Sequence, residues 1–278
     1  MTLPKNENVS PFLRWAGGKN WLIKYIDKFL PTSFNNYYEL FVGGASIFTH
    51  LVNEKKICNK VFLSDKNVDL INTYASIRDN VEEVIYHLET FKNSKAFYYK
   101  LRAKTFIDKV QRAARFIYLN RTSFNGIYRE NLKGEYNVPY GYKNYKCLFD
   151  YNNLRTFSEK LKDVNLYHRD FETFIENIKQ NDLVFLDPPY TVAHSNNGFI
   201  KYNQQLFSIE DQERLANFLK KIKKRKAYFI LTNASHRNIK NIFQEFDYKK
   251  IKRYSVVGGK NSKREKIEEL IFFNTVAK

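Results

Sequence analysis

Cysteine is scarce: Cys58 and Cys147 are the only two in 278 residues. They are too few for a disulfide framework or a spaced metal set, so a reducing compartment is expected and no metal. Long apolar runs are missing as well. No stretch reaches the ~20 residues a membrane span needs, and "MTLPKNENVS" has no apolar core of a signal peptide. The expectation is a soluble, cytoplasmic chain without a membrane partner. A complete GxGxxG fingerprint is also absent, which speaks against a dinucleotide-dependent dehydrogenase. Acids are in short supply: 29 Asp and Glu face 47 Lys and Arg, a formal net charge of +18. Such a field favours a polyanionic partner, nucleic acid above all. The plainer alternative is a solvated, lysine-rich surface.

Hydrophobic residues, at 43%, suffice for a sizeable core and exclude disorder throughout. Short β-like runs alternate with helical patterns, the mark of an α/β sheet. The runs 37–42, 60–65, 182–187 and 226–233 read as largely buried strands, and Ile209–Lys224 as a helix. "DYKKIKRYSVVGG" and "KIEELIFFN" read as a closing antiparallel pair joined by a basic loop. The middle differs. From about Val68 to Phe149 helix follows helix, and then "GIYRENLKGEYNVPYG" reads as a hairpin turning at Lys133-Gly134. Bases outnumber acids several-fold between Lys92 and Lys146, with Phe and Tyr interleaved, which suits an inserted nucleic-acid-binding subdomain. The alternative is an ordinary helical insertion with a basic face.

Four clusters carry chemistry. In "FLRWAGGKNWLI", Gly17-Gly18 between Trp15 and Lys19 make a tight turn that could cradle an anionic or adenine-bearing ligand. In "YYELFVGGASIFTHL" a strand runs into Gly43-Gly44 and a helix, the opening of a Rossmann-like βαβ unit. Asp65 ends the next strand, where a carboxylate can accept both hydroxyls of a ribose; the competing role is to cap the helix beginning near Val68. In "LYHRDFETFI", Asp170-Phe171 could hydrogen-bond and cover an adenine ring, or be a helix cap and a core residue. The fourth cluster is "DLVFLDPPY". Ligands of open α/β sheets bind beyond the carboxyl ends of the strands, and Asp187 sits at such an end. Pro188 and Pro189 lack an N–H and have fixed φ, and Tyr190 adds a flat ring. A carboxylate, a rigid carbonyl and an aromatic face match the exocyclic amine of a planar base.

The order Trp15-Ala16-Gly17-Gly18-Lys19, Phe41-Val42-Gly43-Gly44, Asp65 and Asp187-Pro188-Pro189-Tyr190 resembles the Dam/DpnM-type DNA adenine-N6 methyltransferases, the α-group or D12 class. The likeness extends to "RTSFNGIYRENLKGEYNVPYG", which is similar to that family's target-recognition hairpin, and to "GGKNSKREKIEEL". The resemblance implies a class I methyltransferase (Rossmann-like) α/β sheet of seven strands with an inserted, mainly helical recognition domain bearing a β-hairpin. It assigns 1–67 and 150–278 to catalysis and 68–149 to target recognition. It implies S-adenosylmethionine as cofactor and S-adenosylhomocysteine as product. Trp15, Ala16 and Lys19 would hold its methionine end and adenosine, Phe41 and Gly43 would line it, Asp65 would take the ribose, and Asp170 and Phe171 the adenine. Asp187 would stand between cofactor and base.

The same likeness makes double-stranded DNA the partner. Phe124 matches a position that inserts an aromatic into the duplex, and Asn125, Ile127, Arg129 and Pro139 match contacts to phosphate or base edges. Arg14 stands at a basic position of the family, Lys143 where a relative reads the first base with a tyrosine, and the loop holding Lys260 and Arg264 resembles a backbone clamp. Arg129 and "NVPYG" point to GATC or a GAT-containing site, in a solitary role or paired with a restriction endonuclease. The resemblance further implies that the target adenine is flipped into the pocket. A cytosine-amine methyltransferase and a catalytically silent DNA-binding module are the alternatives.

Overall fold

The computed structural model describes residues 8–15, 17–131, 134–142, 144–190, 207–254 and 266–275. Its strands are β1 (Tyr37–Glu39), β2 (Val61–Asp65), β3 (Val164–His168), β4 (Leu183–Leu186), β5 (Tyr228–Ala234), β6 (Tyr248–Tyr254) and β7 (Lys266–Phe273). They form one seven-stranded sheet in the order β3-β2-β1-β4-β5-β7-β6. β1, β4 and β5 run parallel, whereas β7 is antiparallel to both β5 and β6. The strand order reverses between β1 and β4, the place where open sheets bind ligands.

β4 explains itself. Leu183, Val184, Phe185 and Leu186 are each 2% exposed or less, as an uninterrupted apolar run requires of a strand covered on both faces. Each such side chain contributes roughly 1.5–3 kcal/mol by leaving water. Pro188 and Pro189 then end the strand, because neither has an N–H for the ladder. β1 is shorter than its apolar run. After Glu39 the ladder-like bonds continue, Leu40 N–H to Phe185 C=O at 3.3 Å, but the chain is already bending toward Gly43.

Two compact units emerge. One comprises Met1–Asn20, Val42–Ile57 and Leu63–His168; the other Trp21–Phe41, Cys58–Phe62 and Arg169–Lys278. In the first, the helix Val68–Glu89 packs on the helices Lys109–Thr122 and Tyr151–Leu161. That long helix kinks at Asn80 (φ −142°, ψ 42°). Phe12 fills the space between Tyr74 and Phe157, edge-on to both at 5.5 and 5.0 Å. In the second unit, the helix Ile209–Lys224 packs on β5 and starts from a reciprocal cap between Ser208 and Asp211. Tyr38 stacks on Phe62 at 4.5 Å. Among the described residues no helix is long and apolar enough to cross a membrane.

The expected hairpin is present as isolated antiparallel bridges, Glu130 with Tyr136 and Ser123 with Tyr140, without regular strands. Its chemistry explains the shortfall: Asn125 (φ +57°) and Gly126 (φ +64°) are left-handed, and Pro139 has no N–H to donate. The turn runs from Asn131, whose C=O accepts from Gly134 N–H at 3.0 Å. Lys133 lies outside the described residues, as does the basic loop between β6 and β7.

Candidate active site

In the second unit the end of β4 carries Asp187, partly exposed, followed by buried Pro188. The parallel register sets Leu186 opposite Leu231, so Thr232 lies alongside Asp187. Thr232 is fully buried, and its hydroxyl donates to Asp187 Oδ1 at 2.6 Å. Tyr190 is tied from the other side: its hydroxyl donates to Glu269 Oε2 at 2.5 Å. Glu269 is a buried carboxylate on β7, and the Arg253 guanidinium from β6 pairs with it. Arg253 in turn lies over the Trp21 ring at 5.4 Å. Burial, then the negative charges of Glu269 and Asp187, holds the Tyr190 phenol well above its ordinary range, with Arg253 pulling the other way. Tyr190 therefore stays a neutral hydrogen-bond donor.

Asp170 caps the short turn after β3, accepting Glu172 N–H at 3.0 Å, and pairs with Arg214 at 2.8 Å. Phe171 is 1% exposed, among Phe41 (5.5 Å), Phe207 (6.2 Å) and Phe218 (5.3 Å), with the Arg214 guanidinium 5.1 Å from its centre. Phe41 keeps partial exposure just after β1.

The first unit holds the glycine turn. Gly43 has φ +46°, and a Cβ there would lie 2.6 Å from the Trp15 indole, so this position requires glycine. Its N–H donates to Asp65 Oδ2 at 3.1 Å, and its C=O accepts the Tyr74 hydroxyl at 2.8 Å. Asp65 Oδ1 accepts Asn67 N–H at 3.0 Å. The cap of the following helix is Asn67, which accepts Leu70 N–H, so the capping role does not fall to Asp65. Burial pushes the Asp65 carboxyl above its ordinary value; the N–H groups of Asn67, Gly43 and Lys66 and the charge of His168 oppose the rise. Lys19 is buried and donates to the Gly17 C=O at 2.9 Å. Ala16 lies outside the described residues.

The hairpin segment belongs to the same unit. Phe124 is 49% exposed, and its N–H is held by the Pro139 C=O at 2.8 Å. Asn125, Arg129 and Pro139 are exposed and Ile127 is half-buried. Asn137 Oδ1 orients the Arg129 guanidinium through Nε at 2.8 Å. Buried Asn120 fastens this segment to the N-terminal motif: it accepts Arg14 N–H at 2.8 Å and donates to the Arg14 C=O at 2.6 Å and the Gly126 C=O at 3.3 Å. A Cβ on Gly126 would meet the Arg14 side chain at 2.7 Å. Trp15 stacks against Tyr128 at 5.7 Å. Lys143, Lys260 and Arg264 lie outside the described residues.

Sequence reading passed over Thr232, Glu269, Arg253 and Asn120. Glu269 lies in "GGKNSKREKIEEL" but was given no role there, and the other three stand outside the matched motifs; only the alignment of β4 with β5, which sets Leu186 against Leu231, could have pointed to Thr232. A cavity of about 260 Å³ between the helices Lys95–Ala103 and Lys109–Thr122, lined by Phe91, Phe97, Lys100 and Lys104, holds none of the site residues.

A parallel sheet with an antiparallel strand beside its last parallel member, a glycine turn after β1 and a polar end on β4 is the frame of a class I methyltransferase. The model of the D12 class N6 adenine-specific DNA methyltransferase family matches residues 15–257, and the chain belongs to that family. It is 36% identical over 284 residues to the Type II methyltransferase M1.LlaDCHI of Lactococcus lactis subsp. cremoris, covering 98% of each chain. The Type II methyltransferase M.MjaIII of Methanocaldococcus jannaschii is 36% identical over 288 residues, 96% of this chain and 99% of its own. A DNA adenine methylase of Haemophilus influenzae is 32% identical over 286 residues, 98% of each. The enzyme is thus an adenine-N6 DNA methyltransferase, which makes DNA its substrate and implies S-adenosylmethionine as the methyl donor. The cytosine-specific and silent-module alternatives fall with that membership.

Proposed function

We propose that the enzyme methylates adenine within GATC or a related GAT-containing site of duplex DNA, on a base flipped out of the helix. The observation that carries the reading is the end of β4, where Asp187 is oriented through Thr232 and Tyr190 through Glu269. Asp187 and the Pro188 carbonyl accept the two amino hydrogens of the adenine, and Tyr190 stacks on its ring. This draws the nitrogen lone pair out of conjugation with the ring. The residues act by positioning and by fixed dipoles facing charge that develops on nitrogen. No strong base is required, because the methylated ammonium sheds its proton readily.

The residues fit the implied donor. Asp65 offers a carboxylate whose two oxygens are aligned by separate backbone amides, suited to the two ribose hydroxyls. Trp15, Ala16, Lys19, Phe41 and Gly43 would hold the remainder of S-adenosylmethionine, with Asp170 and Phe171 toward its adenine and Asp187 near its reactive end. When bound, it supplies an electrophilic sulfonium methyl. Residues 68–149 form the recognition domain, with Phe124 entering the duplex and Arg14, Asn125, Ile127, Arg129, Pro139, Lys143, Lys260 and Arg264 contacting phosphates or bases. Arg129, already aimed by Asn137, suits bidentate contact with guanine. The Type II names among the relatives favour pairing with a restriction endonuclease.

Labelled S-adenosylmethionine and short duplexes containing GATC, GATG, GATATC or a scrambled sequence test this reading. Label on the adenine of GATC alone is expected. Adenine label on GATG or GATATC would move the specificity to a related GAT-containing site. Label on the scrambled duplex alone would overturn the site while keeping the chemistry, and Arg129→Ala should relax discrimination at one base pair by about 1–3 kcal/mol.

A further inference from the structure

We infer that Thr232, together with the Glu269–Arg253 pair, positions the two reacting side chains for methyl transfer; this rests on the roles proposed above for Asp187 and Tyr190. Thr232 is 0% exposed in β5, with β4 on one side and β7 on the other. A valine would fill the same volume in that core without burying a hydroxyl. Burying a hydroxyl is unfavourable unless it finds a partner, and this one directs its single hydrogen at Asp187 Oδ1, 2.6 Å away. The bond settles which carboxylate oxygen faces the sheet, and so sets the plane in which the carboxylate meets an amino group.

Tyr190 is constrained in the same manner. Its ring is held at the far end by Glu269. Glu269 is 1% exposed, opposite Ala234 of β5 and Ile251 of β6, and takes its counter-charge from Arg253. Taking an ion pair out of water brings little net stability. What this pair does bring is an acceptor at a defined point, which fixes the tilt of the ring that stacks on the base. Strands β5, β6 and β7 thus form a rigid backing for both side chains.

The test compares Thr232→Val, Thr232→Ser and Tyr190→Phe by single-turnover methyl transfer at saturating cofactor and DNA. Dissociation constants for S-adenosylhomocysteine and duplex and the melting temperature are measured beside it. Misplacement of a reacting group by about 1 Å can lower a rate on the order of 10²-fold. Thr232→Val is therefore expected to slow transfer by roughly 10- to 100-fold at unchanged binding, with Thr232→Ser restoring most of it. Tyr190→Phe keeps the ring and the buried ion pair but loses the tether, and should slow transfer roughly 3- to 10-fold without lowering the melting temperature. A wild-type rate in Thr232→Val overturns the role of Thr232. So does a serine variant as slow as the valine one with an equal drop in melting temperature. A wild-type rate in Tyr190→Phe overturns the tether. Asp187→Ala separates the two levels: if it is inactive while these variants are normal, only the positioning inference fails. If it is active, the reading beneath it fails.

Discussion

Two aspartates end two strands of the sheet, and they are held in opposite ways. Asp65, at the end of β2, is fixed by main-chain N–H groups from Gly43 and Asn67. Asp187, just after β4, is fixed by a side-chain hydroxyl from Thr232. Backbone donors survive almost any substitution of the residues that supply them, but they demand a special backbone path, here the left-handed Gly43. A side-chain donor asks nothing of the backbone and is erased by one substitution. The difference suits the proposed tasks. A ribose has only to be bound, which fixed amides do well, whereas an amine undergoing reaction needs a carboxylate with one defined orientation.

The largest expected effect lies at Asp187. Replacing it by alanine should reduce turnover on the order of 10³-fold or more while leaving most DNA affinity, read by methyl incorporation and by duplex titration. Normal turnover in that variant would erase the contrast. Gly43→Ala comes next. The left-handed path penalises a Cβ by about 1–2 kcal/mol, and that atom would collide with Trp15 at 2.6 Å. Cofactor affinity should fall by roughly tenfold, measured by calorimetric titration of S-adenosylhomocysteine. Unchanged affinity would detach the glycine turn from cofactor binding.

The smallest effect concerns pH. Because burial raises the Asp65 pKa, cofactor affinity should begin to weaken on acidification at a pH above the ordinary carboxylate value. Asp65→Asn should be weaker throughout and lack that acid limb; an identical limb in the variant would assign it to another group. For folding the sign is opposite. A raised carboxylate pKa favours the native state below its unfolded value, and that contribution is lost as pH rises through the folded one.

Much of this was legible in the residues. β4 announced itself because a run buried on both faces must be apolar throughout, and Pro188-Pro189 marked its end. The glycine turn was visible because a strand running into Gly43-Gly44 and then a helix opens a βαβ unit; that Trp15 packs against Gly43 was decided by the structure. Asp170 and Phe171 were open between cap and adenine contact; the structure shows the cap and the buried ring, and the cofactor role stands as a proposal. The hairpin was recognisable by motif, yet its pairing proved sparser than its length suggested.

What the sequence determined by itself is therefore local: strand ends, turns and caps, whose requirements are met by residues a few positions apart. It also carried the family, since the order of such local motifs is specific. Only the tertiary structure decided what stands behind them. Thr232 lies 45 residues from Asp187 and Glu269 lies 79 from Tyr190, and they meet because β5 lies between β4 and β7 in the sheet. A threonine or a glutamate in a strand has no periodicity or turn chemistry to mark it. Its role appears only when strand register brings its oxygen within hydrogen-bond reach of a group that must not turn.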